Sequence, residues 1–268
     1  KEQQEALKLI NKERFVLFLK ARQIGITWLA LADSSHDLIF NPGYSVNSIS
    51  QTEDPDVKEL IRRMGFILKY LPNWLIVDEQ ADPEKKAENI TGITYTQKVL
   101  SIIIHRPDGE DSVFKGFSSS PGAARSFTAN KVILDEWAFH PMAQEIWDAA
   151  FPTINRPTGG KVIGISTMER NTLFDEMWQG ATWEFGAEKG AGRNSFKGIF
   201  IPWHADPRRD EKWYEETKRN MPHTYKKEYP STPADAYSIG QGAAFTEWDT
   251  RIHVPYEKDW YPPYSWRI

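Results

Sequence analysis

The sequence predicts an α/β domain built on a mostly parallel central sheet with helices on both faces. Three observations predict it. Short apolar runs alternate with segments of helical periodicity, the order that builds parallel sheets. Phe15 to Leu19 is continuously apolar, as a strand covered on both faces must be. Three of the runs end in polar residues, at Lys20, at Asp135-Glu136 and at Ser166-Thr167, and the carboxyl ends of strands are where open α/β sheets bind ligands.

The elements follow in order. Gln3 to Asn11 carries Ala6, Leu7, Leu9 and Ile10 at roughly helical spacing. The strand Phe15 to Leu19 enters a polar turn, Lys20 to Thr27, and Trp28 to Asp33 continues with good helix formers. Tyr44 to Ser50 reads as a second strand, and Lys58 to Leu71 as an amphipathic helix stopped by Pro72. Thr94-Tyr95 and Val99 to Ile104 read as a hairpin. Val132 to Leu134 and Lys161 to Ser166 are short buried strands, and Glu145 to Ala150 and Leu173 to Trp178 are helices. Past Pro202 the character changes: Asp210 to Asn220 is a charged helix, Pro230 to Gly242 is turn-rich, and Pro255, Pro262 and Pro263 mark the tail. The expected division is a core over 1–201, a lid or linker subdomain over 202–250, and a linker toward a further domain over 251–268.

Composition excludes several classes. The 268 residues are 40% hydrophobic and 26% charged, ordinary for a globular chain. With no cysteine there can be no disulfide and no thiolate metal site. The six histidines lack the close pairing of a zinc site. A net charge of −4 argues against wholesale electrostatic wrapping of nucleic acid and leaves room for local basic contacts, such as Arg62-Arg63, Lys69 or Lys226-Lys227; such spots are equally solvated surface. The opening Lys1-Glu2-Gln3-Gln4 lacks an apolar leader, so no signal peptide is expected.

Strand, turn and helix in that order suit a phosphate site. The usual loop is Gly-x₄-Gly-Lys-Ser/Thr. Here Gly25 and Thr27 are in place and Ile26 stands where the lysine belongs, while Lys20 and Arg22 flank the front of the turn, Lys20-Ala21-Arg22-Gln23-Ile24-Gly25-Ile26-Thr27. Backbone N–H groups at a helix start bind phosphate whatever the side chains. Lys20 or Arg22 can supply the cation, and Thr27 a hydroxyl for Mg²⁺. Read alone, the segment is equally a strand–turn–helix with surface charge. The pair Asp135-Glu136 is more telling: one carboxylate suits hydrated Mg²⁺ and the other an attacking water. Arg125 lies among small residues, Gly122-Ala123-Ala124-Arg125, as a charge-neutralising finger or as an exposed loop arginine. Ser166-Thr167 can sense a γ-phosphate or simply cap a helix. Gln4 can meet an adenine edge or solvent.

Together these motifs resemble the large terminase subunit of tailed bacteriophages. The resemblance runs through Gln4, Lys20 to Thr27, Ala124 to Glu136, Ile165-Ser166-Thr167, and Lys227-Glu228-Tyr229-Pro230 through Ala234 to Tyr237. It implies a RecA-like P-loop ATPase core with a small lid, using ATP and Mg²⁺ to move double-stranded DNA into a viral procapsid. It assigns Lys20, Ala21, Arg22, Gln23, Ile24, Gly25, Ile26 and Thr27 to the phosphate loop, with Arg22 also in the reaction. Asp135 becomes the Mg²⁺ acid, Glu136 the catalytic acid, Arg125 a finger acting on a neighbouring subunit, Ser166-Thr167 the coupling motif and Gln4 the adenine-side residue. Asn171 departs from the family's short Gly-containing turn. The implied partners are DNA, the portal protein, the small terminase subunit and copies of the chain in a pentameric ring, at the portal vertex in the host cytoplasm. No nuclease activity is expected of this stretch. A helicase-like remodelling ATPase and a weakly hydrolysing assembly module are the alternative readings.

Overall fold

The computed structural model describes residues 2–120, 129–155 and 159–238. Its strands are β1 (Phe15–Lys20), β2 (Ser45–Ser50), β3 (Val77–Asp78), β4 (Thr94–Gln97), β5 (Ser101–His105), β6 (Ser112–Ser118), β7 (Lys131–Asp135), β8 (Lys161–Ser166), β9 (Glu184–Phe185), β10 (Glu188–Lys189) and β11 (Lys197–Ile201). Nine of these form one sheet in the order β11-β1-β8-β7-β2-β6-β5-β4-β3. From β11 to β6 every pairing is parallel, and the β4–β5 hairpin and the β5–β6 pair are antiparallel. The carboxyl ends of β1, β8, β7 and β2 therefore share one edge.

The main helices are α1 (Glu2–Lys12), α2 (Ile26–Phe40) and α3 (Lys58–Lys69), with the short α4 (Pro83–Ala87), then α5 (Ala143–Ile154) and α6 (Leu173–Gly180), and finally α7 (Glu211–Asn220), α8 (Tyr225–Glu228) and α9 (Pro233–Ala236). Strand side chains alternate between faces, and the core divides accordingly. Val16 and Phe18 of β1, Ile133 of β7 and Ile163 and Ile165 of β8 pack with residues of α1, α2 and α3. Leu17 and Leu19, Val132 and Leu134, and Val162 pack on the other face with Trp137, α5 and α6.

That alternation fixes where the polar residues go. Lys131 and Asp135 share the parity of Ile133 and so face α2. Lys131, fully buried, reaches Asp33 at 2.6 Å and Asp37 at 2.5 Å on α2, while Asp135 reaches Thr27 at its start. Strand β7 thus grips one helix at two places.

Several elements differ from their predicted limits. Helix α2 continues to Phe40, because Ser34 and Ser35 are buried against the sheet and the Ser35 hydroxyl donates to the Ala32 carbonyl at 2.7 Å. Helix α3 ends at Lys69 rather than Leu71, consistent with the backbone restriction that precedes Pro72. Helix α5 extends over Ala143–Ile154 with Pro152 inside its last turn. Strands β6 and β11 are not predicted by the sequence pattern. The first carries Lys115 and Gly116 in its middle, and the second is a five-residue run with Gly198; both patterns fall short of a strand signal.

Candidate active site

The site grows from the junction of β1 and α2. Strand β1 ends at Lys20, and the chain then turns through Gln23 and Gly25 at φ 56° and 82° into the first turn of α2. Glycine at position 25 removes the Cβ that would make its left-handed backbone costly. Ile26, in the place of the usual lysine, is 1% exposed and packed in the core with Ala6 and Ile10. A charge could not be held there without a partner. The cation must come from elsewhere, and Lys20 is well placed.

Strand β8 lies between β1 and β7, so about 10 Å separates the two outer strands. Long side chains bridge that gap. The Lys20 ammonium, almost fully buried, donates to Glu136 Oε1 at 3.0 Å. The Thr27 hydroxyl donates to Asp135 Oδ1 at 2.8 Å. In an extended strand Glu136 would point to the face opposite Asp135. Its left-handed backbone (φ 49°, ψ 44°) ends the alternation and opens a short turn, Trp137–Phe139. Such a conformation at a non-glycine residue costs energy and collects at functional sites.

Burial first, and the adjacent Glu136 charge second, push the Asp135 carboxyl up from its ordinary 3.8 to about 6. The Thr27 hydrogen bond and the charges of Lys20 and Arg63 offset only part of this. Behind it, His140 Nε2 donates to the Asp135 carbonyl at 2.8 Å, since a carbonyl only accepts. Burial pushes the His140 ring down to about 4, so it is neutral at pH 7.

These residues line a cleft of roughly 900 Å³. Its near wall holds Lys20, Gly25, Thr27, Asp135 and Glu136, and its far wall holds Lys58, Glu59, Arg62 and Arg63 from α3, with Arg208 at the side. Glu59 accepts from both arginines, at 2.6 Å from Arg62 Nε and 2.9 Å from Arg63 Nε. Its carboxyl is held down at about 2, first by Arg62. Arg208 also makes a two-pronged pair with Asp206. The sequence shows Arg62-Arg63 only as a basic spot and gives no sign of Arg208. The usable signal is Glu59 placed three and four residues before the arginines.

The other predicted residues are distributed as follows. Ala21 and Ile24 are buried in the turn. Arg22 lies outside the main cleft and lines a smaller one with Lys20, Gln23 and Glu136: it pairs with Glu228, its N–H donates to the Glu228 carbonyl at 3.0 Å, and its own carbonyl accepts from Arg209 at 2.9 Å. Gln4 is exposed on α1, and its neighbour Gln3 meets the turn instead, donating to the Ile24 carbonyl at 3.5 Å. Ser166 is fully buried and its hydroxyl accepts from the Ala138 N–H at 3.1 Å, joining the end of β8 to the turn after Glu136; Thr167 is buried beside it. Asn171 has φ 59°, the conformation a glycine adopts most cheaply, and its N–H donates to Asp175 at 3.0 Å. Arg125 lies outside the described residues. Among the described residues no group of three or more His, Asp or Glu gathers as a metal site, and no helix is long and apolar enough to cross a membrane.

Comparison with known proteins agrees with this fold. The family model described as "Terminase large subunit, T4likevirus-type, N-terminal" matches residues 17–250. No curated protein matches the chain. The large terminase ATPase domain of Thermus phage P74-26 is similar with a TM-score of 0.65 and 22% identity, over 83% of this chain and 90% of that one. The large terminase of bacteriophage HK97 is similar at 0.55 and 15%, over 82% and 47%. The large terminase of another thermophilic bacteriophage, in complex with ATP-γ-S, is similar at 0.51 and 11%, over 82% and 48%. The chain spans about half of these last two proteins, and at such identities the likeness is one of fold.

Proposed function

The chain belongs to the terminase large-subunit family, the DNA-packaging ATPases of tailed phages, and on that premise we propose that it hydrolyses ATP between α2 and β7 to drive double-stranded DNA into a procapsid. One observation carries this reading. Two separate strand ends bring a hydroxyl onto a buried carboxylate, Thr27 to Asp135, and a lysine onto a second carboxylate, Lys20 to Glu136.

The donor set fits a hydrated Mg²⁺. Asp135 is a buried carboxylate beside the Glu136 charge, and Thr27 offers a hydroxyl beside it; such oxygen donors, with phosphate and water, suit this ion. When bound, the ion would offset the negative charge of the phosphates.

The chain's own residues do the rest. N–H groups at the start of α2 bind phosphate oxygens, helped by the helix dipole. Lys20 pairs with phosphate, which requires it to leave Glu136. Glu136, freed of that partner, accepts the proton of the attacking water. Ser166, tied to the turn carrying Glu136, passes movement of that turn into β8 and the segment before α6. Residues 202–238 act as a lid against the phosphate turn through Arg22, Arg209 and Glu228. Arg125 serves a neighbouring copy's site in a pentameric ring on the portal, fed by the small terminase subunit, in the host cytoplasm.

Steady-state hydrolysis by the Glu136→Gln and Thr27→Ala variants tests this. Glu136→Gln should lose about 10²–10⁴-fold in kcat while still binding Mg²⁺–ATP, and Thr27→Ala should weaken binding of the Mg²⁺ complex. Unchanged turnover in Glu136→Gln would remove that residue from the reaction.

A further inference from the structure

We propose that Arg63, on the far wall of the cleft, is a second phosphate-binding cation, gripping the γ-phosphate in addition to Lys20; this rests on the ATP site proposed above. The turn is poor in usable positive charge. Position 26 is a core isoleucine and Arg22 is paired with Glu228 outside the main cleft, which leaves Lys20 alone to meet the phosphates once it parts from Glu136. The cleft also holds Asp54, Asp56, Glu59, Asp135 and Glu136. A magnesium-bound nucleoside triphosphate is still an anion, and this much carboxylate would repel it.

The other cations of the cleft are engaged at their tips. Lys58 contacts Asp54 at 2.5 Å, Arg62 grips Glu59 with two nitrogens, and Arg208 does the same with Asp206. Arg63 differs. It uses only Nε on Glu59, so among the described residues its two terminal nitrogens have no hydrogen-bond partner. Its side chain is 28% exposed against 62% for Arg62. Its guanidinium lies 5.6 Å from the centre of the Trp28 ring, and Trp28 follows Thr27, whose hydroxyl sits on Asp135. Phe66 meets the same indole edge-on at 5.8 Å. The stem of Arg63 is thus fixed by Glu59 and Trp28 while its fork stays open beside the Thr27–Asp135 pair. A planar fork with two free N–H edges is the group that grips phosphate oxygens two at a time.

The test is calorimetric binding of Mg²⁺–ATP-γ-S and Mg²⁺–ADP to the wild-type chain and to Arg63→Gln, Arg63→Lys and Lys218→Gln. Arg63→Gln should weaken the triphosphate by about tenfold or more and the diphosphate by less than about twofold. Arg63→Lys should recover part of the loss, as a point charge without the fork. Lys218→Gln, on α7 and outside the cleft, should bind both like the wild type. Equal weakening of both nucleotides, or no change, would overturn the assignment, and thermal unfolding of each variant separates lost binding from lost fold. If Arg63→Gln does not fold, the Arg63→Lys ratio of triphosphate to diphosphate affinity decides: an unchanged ratio rejects the assignment. A wild-type chain that bound neither nucleotide would instead reject the ATP site itself.

Discussion

Asp135→Asn should stabilise the nucleotide-free protein, and by an amount that depends on pH. Folding takes the Asp135 carboxyl from its ordinary 3.8 to about 6. The folded chain therefore holds the proton more tightly than the unfolded chain. Stability is greatest below pH 3.8, falls as pH rises through the window up to 6, and carries the full penalty above it. A rise of that size corresponds to about 3 kcal/mol at pH 7, and about 1.6 kcal/mol at pH 5. Asparagine carries no charge at either pH, and its amide oxygen can still accept from Thr27. Its own desolvation consumes part of the gain, leaving about 1–3 kcal/mol at pH 7. For a domain of this size that is a rise in Tm of about 3–10 °C. The assay is thermal unfolding of both proteins in chelator at pH 7 and pH 5. The gap should shrink by about half at the lower pH, because the wild-type carboxyl is then largely protonated. With Mg²⁺ and ATP-γ-S added, the order should narrow or reverse, since ligand stabilises only a state that binds it. A variant that melts at or below the wild type at pH 7 without metal would refute the claim that Asp135 is held at a cost.

Three further outcomes follow from the packing. Lys131→Met leaves Asp33 and Asp37 without their buried cation and should cost about 3–5 kcal/mol in urea unfolding; a loss below about 1 kcal/mol would mean that water reaches the pair. Gly164→Ala places a Cβ 2.7 Å from both Leu17 Cδ2 and Trp137 Cε3, so it should destabilise by about 1–3 kcal/mol. Because Trp137 adjoins Glu136, hydrolysis should fall more than nucleotide binding, and equal losses would argue against that link. Tyr237→Phe removes a 2.7 Å hydrogen bond to Asp175 and should cost about 1 kcal/mol by the same unfolding assay, with nucleotide affinity unchanged.

Much of this is legible in the residues, for a physical reason. A strand covered on both faces must be continuously apolar, so Phe15 to Leu19 and Val132 to Leu134 stand out, and the first polar residue after each marks the sheet edge. Strand β6 is illegible because it is the last of the parallel set, where β2 lies on one side and the antiparallel β5 on the other, and Lys115 can point outward. Parity tells which residues share a face, but not the backbone of Glu136, whose left-handed turn accompanies the packing of Trp137 against Gly164 of β8. Gln3 and Gln4 are adjacent on one helix, and only the placement of α1 decides which meets the turn. The separation of Lys20 from Arg22 is equally hidden: they are close in sequence, and they part because Glu228, far along the chain, holds the second.

That same late segment shows how the site is joined to the remainder of the chain. Residues 225–237 hold the phosphate turn through Glu228 and Arg22. They also hold the segment after β8, through Lys227 to Glu169 at 2.5 Å and Tyr237 to Asp175 at 2.7 Å. That segment follows directly from Ser166, the last residue of β8, whose hydroxyl is bonded to the turn that carries Glu136. The connections close a loop: phosphate turn, late segment, post-β8 segment, Glu136 turn, and back across the cleft through Lys20. In a densely packed protein such loops resist small deformations and move when a bond is exchanged. Under the proposed function the bond positioned for exchange is Lys20 to Glu136, because that reading gives both partners other work once phosphate enters. On that reading, breaking it would free the Glu136 turn at one end only, and the Ser166 bond at its other end would direct the displacement into β8.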